Sequence, residues 1–199
     1  MELIDIDNKL GWQYNKDYPD TRIQTSATIG AKAQVSGKAR IYGYAKVYEN
    51  AFVSENAIIR GKAHVSGYAE ISGNAIVYGY ARVGHYARIG GSALVCGYAQ
   101  IFENAKISGN AKISGHASIR GDGEILKTKD YMVIETHNIF RRHITLHRDK
   151  KIGIRINLYD FTGTLEEYIF ATRKFDNQYF HQVMMTKYYN ILKDRMTPL

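Results

Sequence analysis

The chain has 199 residues, enough for one or two small domains, and carries 18 Gly, only 2 Pro, 16 Tyr and a single cysteine, Cys96. One cysteine excludes an intramolecular disulfide framework, and no stretch approaches the roughly 20 apolar residues of a membrane span. The formal charge of +8 contains no long basic run, so it permits an anionic partner without demanding one, and it argues against an acidic surface that imitates DNA.

The start of the chain, Met-Glu-Leu-Ile-Asp-Ile-Asp, has neither the basic start nor the apolar run of a signal peptide, and the expected location is cytoplasmic. Residues 1–20 lack the repeat that follows, and Leu3, Ile4, Ile6, Leu10 and Trp12 suit an N-terminal cap for it. From Ala27 to Ala117 alanine then recurs at every sixth residue, sixteen times, and two residues after each stands Ile or Val, from Ile29 to Ile119. A helix of period 3.6 cannot hold such a repeat on one face. A strand–turn repeat can, because residues n and n+2 of a strand share a face. Each Ala and its branched partner therefore point inward together. Gly, Asn and Glu crowd the two positions before each Ala, where the chain turns, and Gly and Asn tolerate positive φ there. Weaker copies, Thr21 with Ile23 and Gly123 with Ile125, extend the repeat over residues 21–126.

The unit Gly-x-Ala-x-(Ile/Val)-x, as in Gly-Tyr-Ala-Lys-Val-Tyr at 43–48 and Gly-Asn-Ala-Lys-Ile-Ser at 109–114, resembles the hexapeptide-repeat family. The resemblance implies a mainly β fold: a left-handed parallel β-helix of triangular section with three units per coil. About six coils at the interstrand spacing make a rod about 29 Å long. Residue n then lies above n+18, and the outward residues sort into columns. The first side carries Lys46, His64 and Arg82, with Tyr44, Lys62, Tyr80 and Tyr98 along the adjoining corner. The middle of the third side is apolar, with Ile58, Ile76, Tyr78, Leu94 and Cys96, and a patch of this kind marks a contact surface. Its expected cover is either a second subunit, since members of the family are usually trimers and a dimer would also serve, or this chain's own tail.

Residues 127–199 read as a small α+β domain of βββαα order. Strands are predicted at 131–136, 142–148 and 152–158, a helix opens at the capping box Thr164-Leu-Glu-Glu167 and runs to about Phe175, and a second helix covers about 177–194. That second helix should present Phe180, Val183, Met184, Tyr188, Ile191 and Leu192 on one side. The segments Asp130-Tyr-Met-Val-Ile, Lys150-Lys-Ile-Gly-Ile-Arg-Ile and Phe161-Thr-Gly-Thr-Leu-Glu-Glu-Tyr resemble the C-terminal segment of hexapeptide-repeat proteins from bacteria and their phages. That resemblance implies a phage or mobile-element context rather than a particular chemistry.

The family resemblance also implies acyl transfer from acetyl-CoA or another acyl-CoA, with a histidine as general base toward an acceptor hydroxyl or amine. Three repeat histidines are available: His64 faces outward, His85 replaces a turn glycine and His116 precedes Ala117. His64 is the best candidate, but no loop interrupts residues 21–126 to build the pocket that such enzymes often have. The tail adds His137, His143, His147 and His181. On a strand His143 and His147 would stand about 13 Å apart, too far for one zinc ion with bonds near 2.1 Å, so no metal is expected. Lys46, His64 and Arg82 stack like charges, which repel, and an anionic ligand or acidic partner would relieve the repulsion. With the tyrosines beside them they suit nucleotides, a CoA phosphate or single-stranded nucleic acid. The leading reading is a non-catalytic interaction or scaffold protein without a cofactor, acting on a protein partner and, in a phage, as an inhibitor that sequesters a host factor. An acyl-CoA-dependent acyltransferase is the first alternative, and a nucleotide or nucleic-acid binder using the Lys/Arg/Tyr face is the second.

Overall fold

A computed structural model describes residues 1–7, 11–135, 143–158, 161–172 and 178–196. Three strands open the chain: β1 (Leu3–Asp7), β2 (Trp12–Asn15) and β3 (Tyr18–Gln24) form an antiparallel meander. The outer edge of β3 then pairs in parallel with Arg40–Ile41, so the meander continues directly into the repeat. Two-residue strands follow at every sixth residue from Thr28–Ile29 to Glu124–Ile125.

Each two-residue strand pairs in parallel with the one eighteen residues further on, as in Phe52↔Glu70↔Arg88. The result is three sheets, of 8, 6 and 6 strands, wound as a β-solenoid of about six turns. The lumen holds only the repeat's inward residues. From Ala33 to Ala117 each Ala is at most 2 % exposed, and the Ile and Val that follow from Val35 to Ile119 are at most 1 % exposed. Alternation of a methyl with a branched side chain fills a narrow core without voids, which is the packing that stabilises interiors.

At the corners the sequence expectation needs one correction. Every sixth residue from 37 to 121 has positive φ; eleven of these are Gly and the other four are Glu49, Glu55, His85 and Glu103. Asn stands one place later and does not take this conformation. Glu is tolerated because its carboxylate is used: Oε2 of Glu49, Glu55 and Glu103 accepts the backbone N–H of Gly67, Gly73 and Gly121, each one coil on. That N–H would otherwise face solvent outside the strand ladders, and the hydrogen bond offsets the cost of a left-handed non-glycine residue.

The C-terminal region is a four-stranded antiparallel sheet in chain order, β4 (Tyr131–Glu135), β5 (His143–Asp149), β6 (Gly153–Leu158) and β7 (Phe161–Gly163), followed by α1 (Leu165–Ala171) and α2 (Gln178–Met196). The short edge strand β7 reads in the sequence only as an approach to the helix. It pairs with β6 through Ile156↔Gly163, beside a 2.6 Å hydrogen bond from Thr162 Oγ1 to Asn157 Oδ1. The Thr164/Glu167 capping box is formed, but α1 ends at Ala171, short of the expected Phe175. Ile144, Leu146, Ile154, Ile156, Tyr168, Met185 and Leu192 make a second core. Met185 rather than Val183 faces it, and Val183 is left 47 % exposed. The predicted Phe180 contact, like Leu10 and His137, lies outside the described side chains.

This sheet closes the rod. In the preceding coil the N–H groups of Gln100, Phe102 and Asn104 donate to the carbonyls of Ala117, Ile119 and Gly121. The equivalent donors of the last coil, Ser118, Arg120 and Asp122, donate instead to side chains of β5: Thr145 Oγ1 (2.9 Å), His147 Nε2 (3.4 Å) and Asp149 Oδ2 (3.2 Å). Two strands with the same two-residue period lie in register, and side chains take the place of a missing coil. A Cβ on Gly123 would come within 2.8 Å of the His147 ring, which is why the alanine column ends there in glycine.

Candidate functional site

The first-side column forms as the eighteen-residue period requires: His64 pairs with Lys46 below and with Arg82 above. Lys46 and His64 are half-buried and Arg82 is exposed. The Tyr48 hydroxyl stands 3.5 Å from His64 Nδ1, with the two rings edge to face at 5.9 Å. Burial, then the charges of Lys46 and Arg82, lower the pKa of His64. A neutral imidazole held between two cations is the consequence.

The neighbouring corner forms a stack. Lys62 donates to the Tyr80 hydroxyl at 3.3 Å and lies 5.2 Å from the ring centre. Tyr80 and Tyr98 stack at 5.0 Å, Tyr98 and His116 at 5.0 Å, and His116 and His143 at 4.0 Å, all nearly parallel. The column therefore runs off the rod into the C-terminal sheet, a continuation that the repeat alone does not reveal. Tyr44 begins the same column, 68 % exposed and outside the ring stacks. A second pair, Tyr68 and Tyr86, stacks at 5.3 Å on another corner. Sequence reasoning passed over this pair although its spacing of eighteen was visible.

On the third side Ile76 pairs with Ile58 and Leu94, and all three are half-buried, as are Tyr78 and Cys96. Arg60 lies over the Tyr78 ring at 4.5 Å. A hydrogen bond with Cys96, with its charge and burial, raises the pKa of Tyr78 against the effect of Arg60. The C-terminal sheet packs on the last coil rather than along this column.

The remaining histidines separate. His85 takes its corner with positive φ and meets Phe102 edge to face at 5.6 Å. His147 is fully buried, and burial lowers its pKa to about 4 despite a hydrogen bond to the Arg148 carbonyl and the nearby Asp149. With Nδ1–H donating to Arg148 O at 2.8 Å, Nε2 is left to accept from Arg120 N and, at 2.9 Å, from Asn157 Nδ2. Burial opposes ionisation of Asp149, but hydrogen bonds from Arg155, Lys151 N and Ile152 N outweigh it and hold the carboxyl below its ordinary value. His143 and His147 therefore serve different places, one a ring stack and the other the seam. Among the described residues no group of three or more His, Cys, Asp or Glu could hold a metal ion, and no helix is long and apolar enough to cross a membrane.

The architecture is that of a β-solenoid protein, and a comparison at sequence level agrees. Residues 69–85, just under one coil around Glu70, Ile76 and Arg82, match a family model described as the YdcK beta solenoid repeat. No curated protein and no solved structure matches the chain.

Proposed function

We propose that this protein is a non-catalytic binding rod that engages an anionic partner through its first side. The observation that carries the reading is the stack of Lys46, His64 and Arg82 in strand register, held without a facing carboxylate on an unbroken wall. With His64 neutral, Lys46 and Arg82 stand two coils apart, about 9.6 Å, outside every ion pair of the described residues, and an anionic ligand that bridges them gains from both charges. The coils run without an inserted loop, an antiparallel meander extends one of the three sheets at the start, antiparallel sheet covers the last coil, and the wall is left as the working surface. In a phage or mobile element such a rod would act by sequestering a host factor. The half-buried Ile58, Ile76 and Leu94 column is the face on which copies of the rod would associate as a dimer or trimer, read by light scattering.

Charge reversal tests the reading. Lys46→Glu with Arg82→Glu should abolish partner binding with an unchanged circular dichroism spectrum, since both side chains point outward; retained binding would refute it. Acyl transfer is the second reading, favoured by one observation: His64 is kept neutral and in reach of the Tyr48 hydroxyl, as a general base would be. Acetyl-CoA raising the melting temperature, with acyl transfer lost in His64→Ala, would establish that reading in place of the first.

A further inference from the structure

The charge of the rod is segregated far beyond the three stacked residues. The six acidic residues of 21–126 are Glu49, Glu55, Glu70, Glu103, Asp122 and Glu124, which lie on the second side and its two corners. The stretches 22–30, 40–48, 58–66, 76–84, 94–102 and 112–120 stack on one another and run from the third side, round the corner, across the first. They contain eight Lys and Arg and no Asp or Glu. None of the ion pairs among the described residues falls there. On the second side, by contrast, Arg88 pairs with Glu70 at 3.2 Å.

Within this acid-free surface the cations are staggered over neighbouring columns: Lys46 and Arg82 share the first-side column with His64 between them, Lys62 stands in the adjoining corner column, and Arg60 lies one column further, over Tyr78. Lys46, then Arg60 and Lys62, then Arg82 occupy three successive coils, about 4.8 Å apart. A nucleic-acid strand presents one phosphate per about 3.4 Å of duplex axis, so a polynucleotide backbone supplies charges at a comparable spacing. The aromatic residues decide between a polynucleotide and an acidic protein. Tyr80 is engaged by Tyr98 and by the Lys62 ammonium, Tyr98 by Tyr80 and His116, and Arg60 covers Tyr78. Tyr44 is the most exposed tyrosine of the surface, outside the stacks, and its column continues in Lys62 while Lys46 lies two residues on along its own coil. An exposed ring with one lysine in the next coil of its column and another two residues on suits an unpaired base whose flanking phosphates meet the lysines. A duplex has no free base face to offer, and an acidic protein surface would leave the ring without use.

We infer that the acid-free side of the rod binds single-stranded nucleic acid, with the phosphate backbone along Lys46, Lys62 and Arg82 and a base stacked on Tyr44. The inference rests on the binding-rod reading and gives its partner a chemistry. The test is fluorescence anisotropy of a labelled single strand of about 20 nucleotides, its duplex form and heparin, each across a salt series with the full chain. The single strand should bind more tightly than the duplex. Lys46→Ala with Arg82→Ala should lower affinity and reduce the slope of log K against log salt by about 1.4. Tyr44→Ala should weaken single-strand binding about fivefold or more with the slope unchanged, and leave heparin binding alone. Unaltered affinity in the lysine–arginine variant, tighter binding of duplex, or a Tyr44→Ala variant equal to the parent would each overturn it. A nuclease-treated extract separates this failure from that of the parent reading. An acidic protein captured by the parent chain and lost with Lys46→Glu/Arg82→Glu, with no oligonucleotide bound, overturns the nucleic-acid inference and leaves the binding rod standing. Loss of neither activity in that variant removes both.

Discussion

Lowering the pH should loosen the C-terminal sheet from the rod before the rod itself responds, and His147 sets the window. Its folded pKa of about 4 lies below the ordinary 6.5. Between these values the unfolded or undocked chain binds the extra proton, so the contribution is complete above about pH 6.5 and is lost as the pH falls toward and through about 4. The proton would land on Nε2, which accepts from Arg120 N and Asn157 Nδ2, and two donors would then face a third. The full shift amounts to about 3 kcal/mol, and the part between pH 6.5 and 5, above the range where carboxylates protonate, to about 1.6 kcal/mol. Hydrogen exchange reads this locally. The protection factor of the Arg120 amide should fall about fifteenfold across that interval, while that of the Glu70 amide, bonded to Ala87 O at 3.0 Å inside the rod, stays constant. Trp12, at the far end of the rod beside Tyr42, gives a fluorescence control that should not move. In His147→Gln, which cannot titrate, the pH dependence of Arg120 protection should vanish. Equal pH dependence in the parent and in His147→Gln would refute the assignment.

Three further outcomes follow from packing and turn geometry. Ala75→Leu, placed in a lumen where Ala75 has no exposure, should destabilise by about 1–3 kcal/mol in urea melts, against about 1 kcal/mol for removing a stacked surface ring with Tyr86→Ala. Glu55→Ala keeps the left-handed backbone and loses the carboxylate bond to Gly73 N–H, so it should cost about 1 kcal/mol, whereas Glu55→Gly loses the bond but relieves the backbone and should be nearly neutral. Gly123→Ala drives a methyl against the His147 ring and should lower the melting temperature and the protection of Ser118 and Arg120 together, at about 1–3 kcal/mol. A rise in melting temperature would contradict close packing of Gly123 against His147 at the seam.

The legibility of the molecule follows its periodicity. Once Ala and Ile/Val recur every six residues and strands pair at eighteen, Lys46, His64 and Arg82 must stack, as must Lys62, Tyr80 and Tyr98, and they do. The same rule contains the Tyr68–Tyr86 stack and the carboxylates of Glu49, Glu55 and Glu103 over Gly67, Gly73 and Gly121, which charge and apolarity along the columns do not reveal because they depend on turn hydrogen bonds and ring stacking. The Tyr48–His64 contact crosses between columns, and no period announces it. His143 and His147 lie beyond the last repeat, so only the fold could show one joining the aromatic column and the other meeting Arg120. A spacing of four on a strand placed them on a common side, but not which neighbours that side would meet.

The closing of the rod explains why the sequence changes grammar where it does. A parallel stack ends on a row of unpaired N–H groups, a template for adding another strand and hence for end-to-end aggregation. A further repeat would only move that row along. Ending the stack requires acceptors that do not themselves expose a new row in the same direction, and side chains meet that requirement. Thr145, His147 and Asp149, on alternate residues of β5, cover Ser118, Arg120 and Asp122, while the backbone of β5 pairs with β4 and β6 and meets the last coil only at its end, where Asp149 bridges Gly123. Two of the three need support to remain acceptors. Asp149 has Arg155 at 2.6 Å, and His147 is fixed in the tautomer with Nε2 free by its bond to Arg148 O. Asn157 ties the sheet back to Ser118 O at 2.8 Å, and Thr162 holds the Asn157 amide the right way round. The residues of the tail that looked most like chemistry, His147 and Asp149, are thus the ones that terminate the rod, and the proposed binding surface belongs to the repeat, where Lys46 and Arg82 stand outside the ion pairs of the described residues.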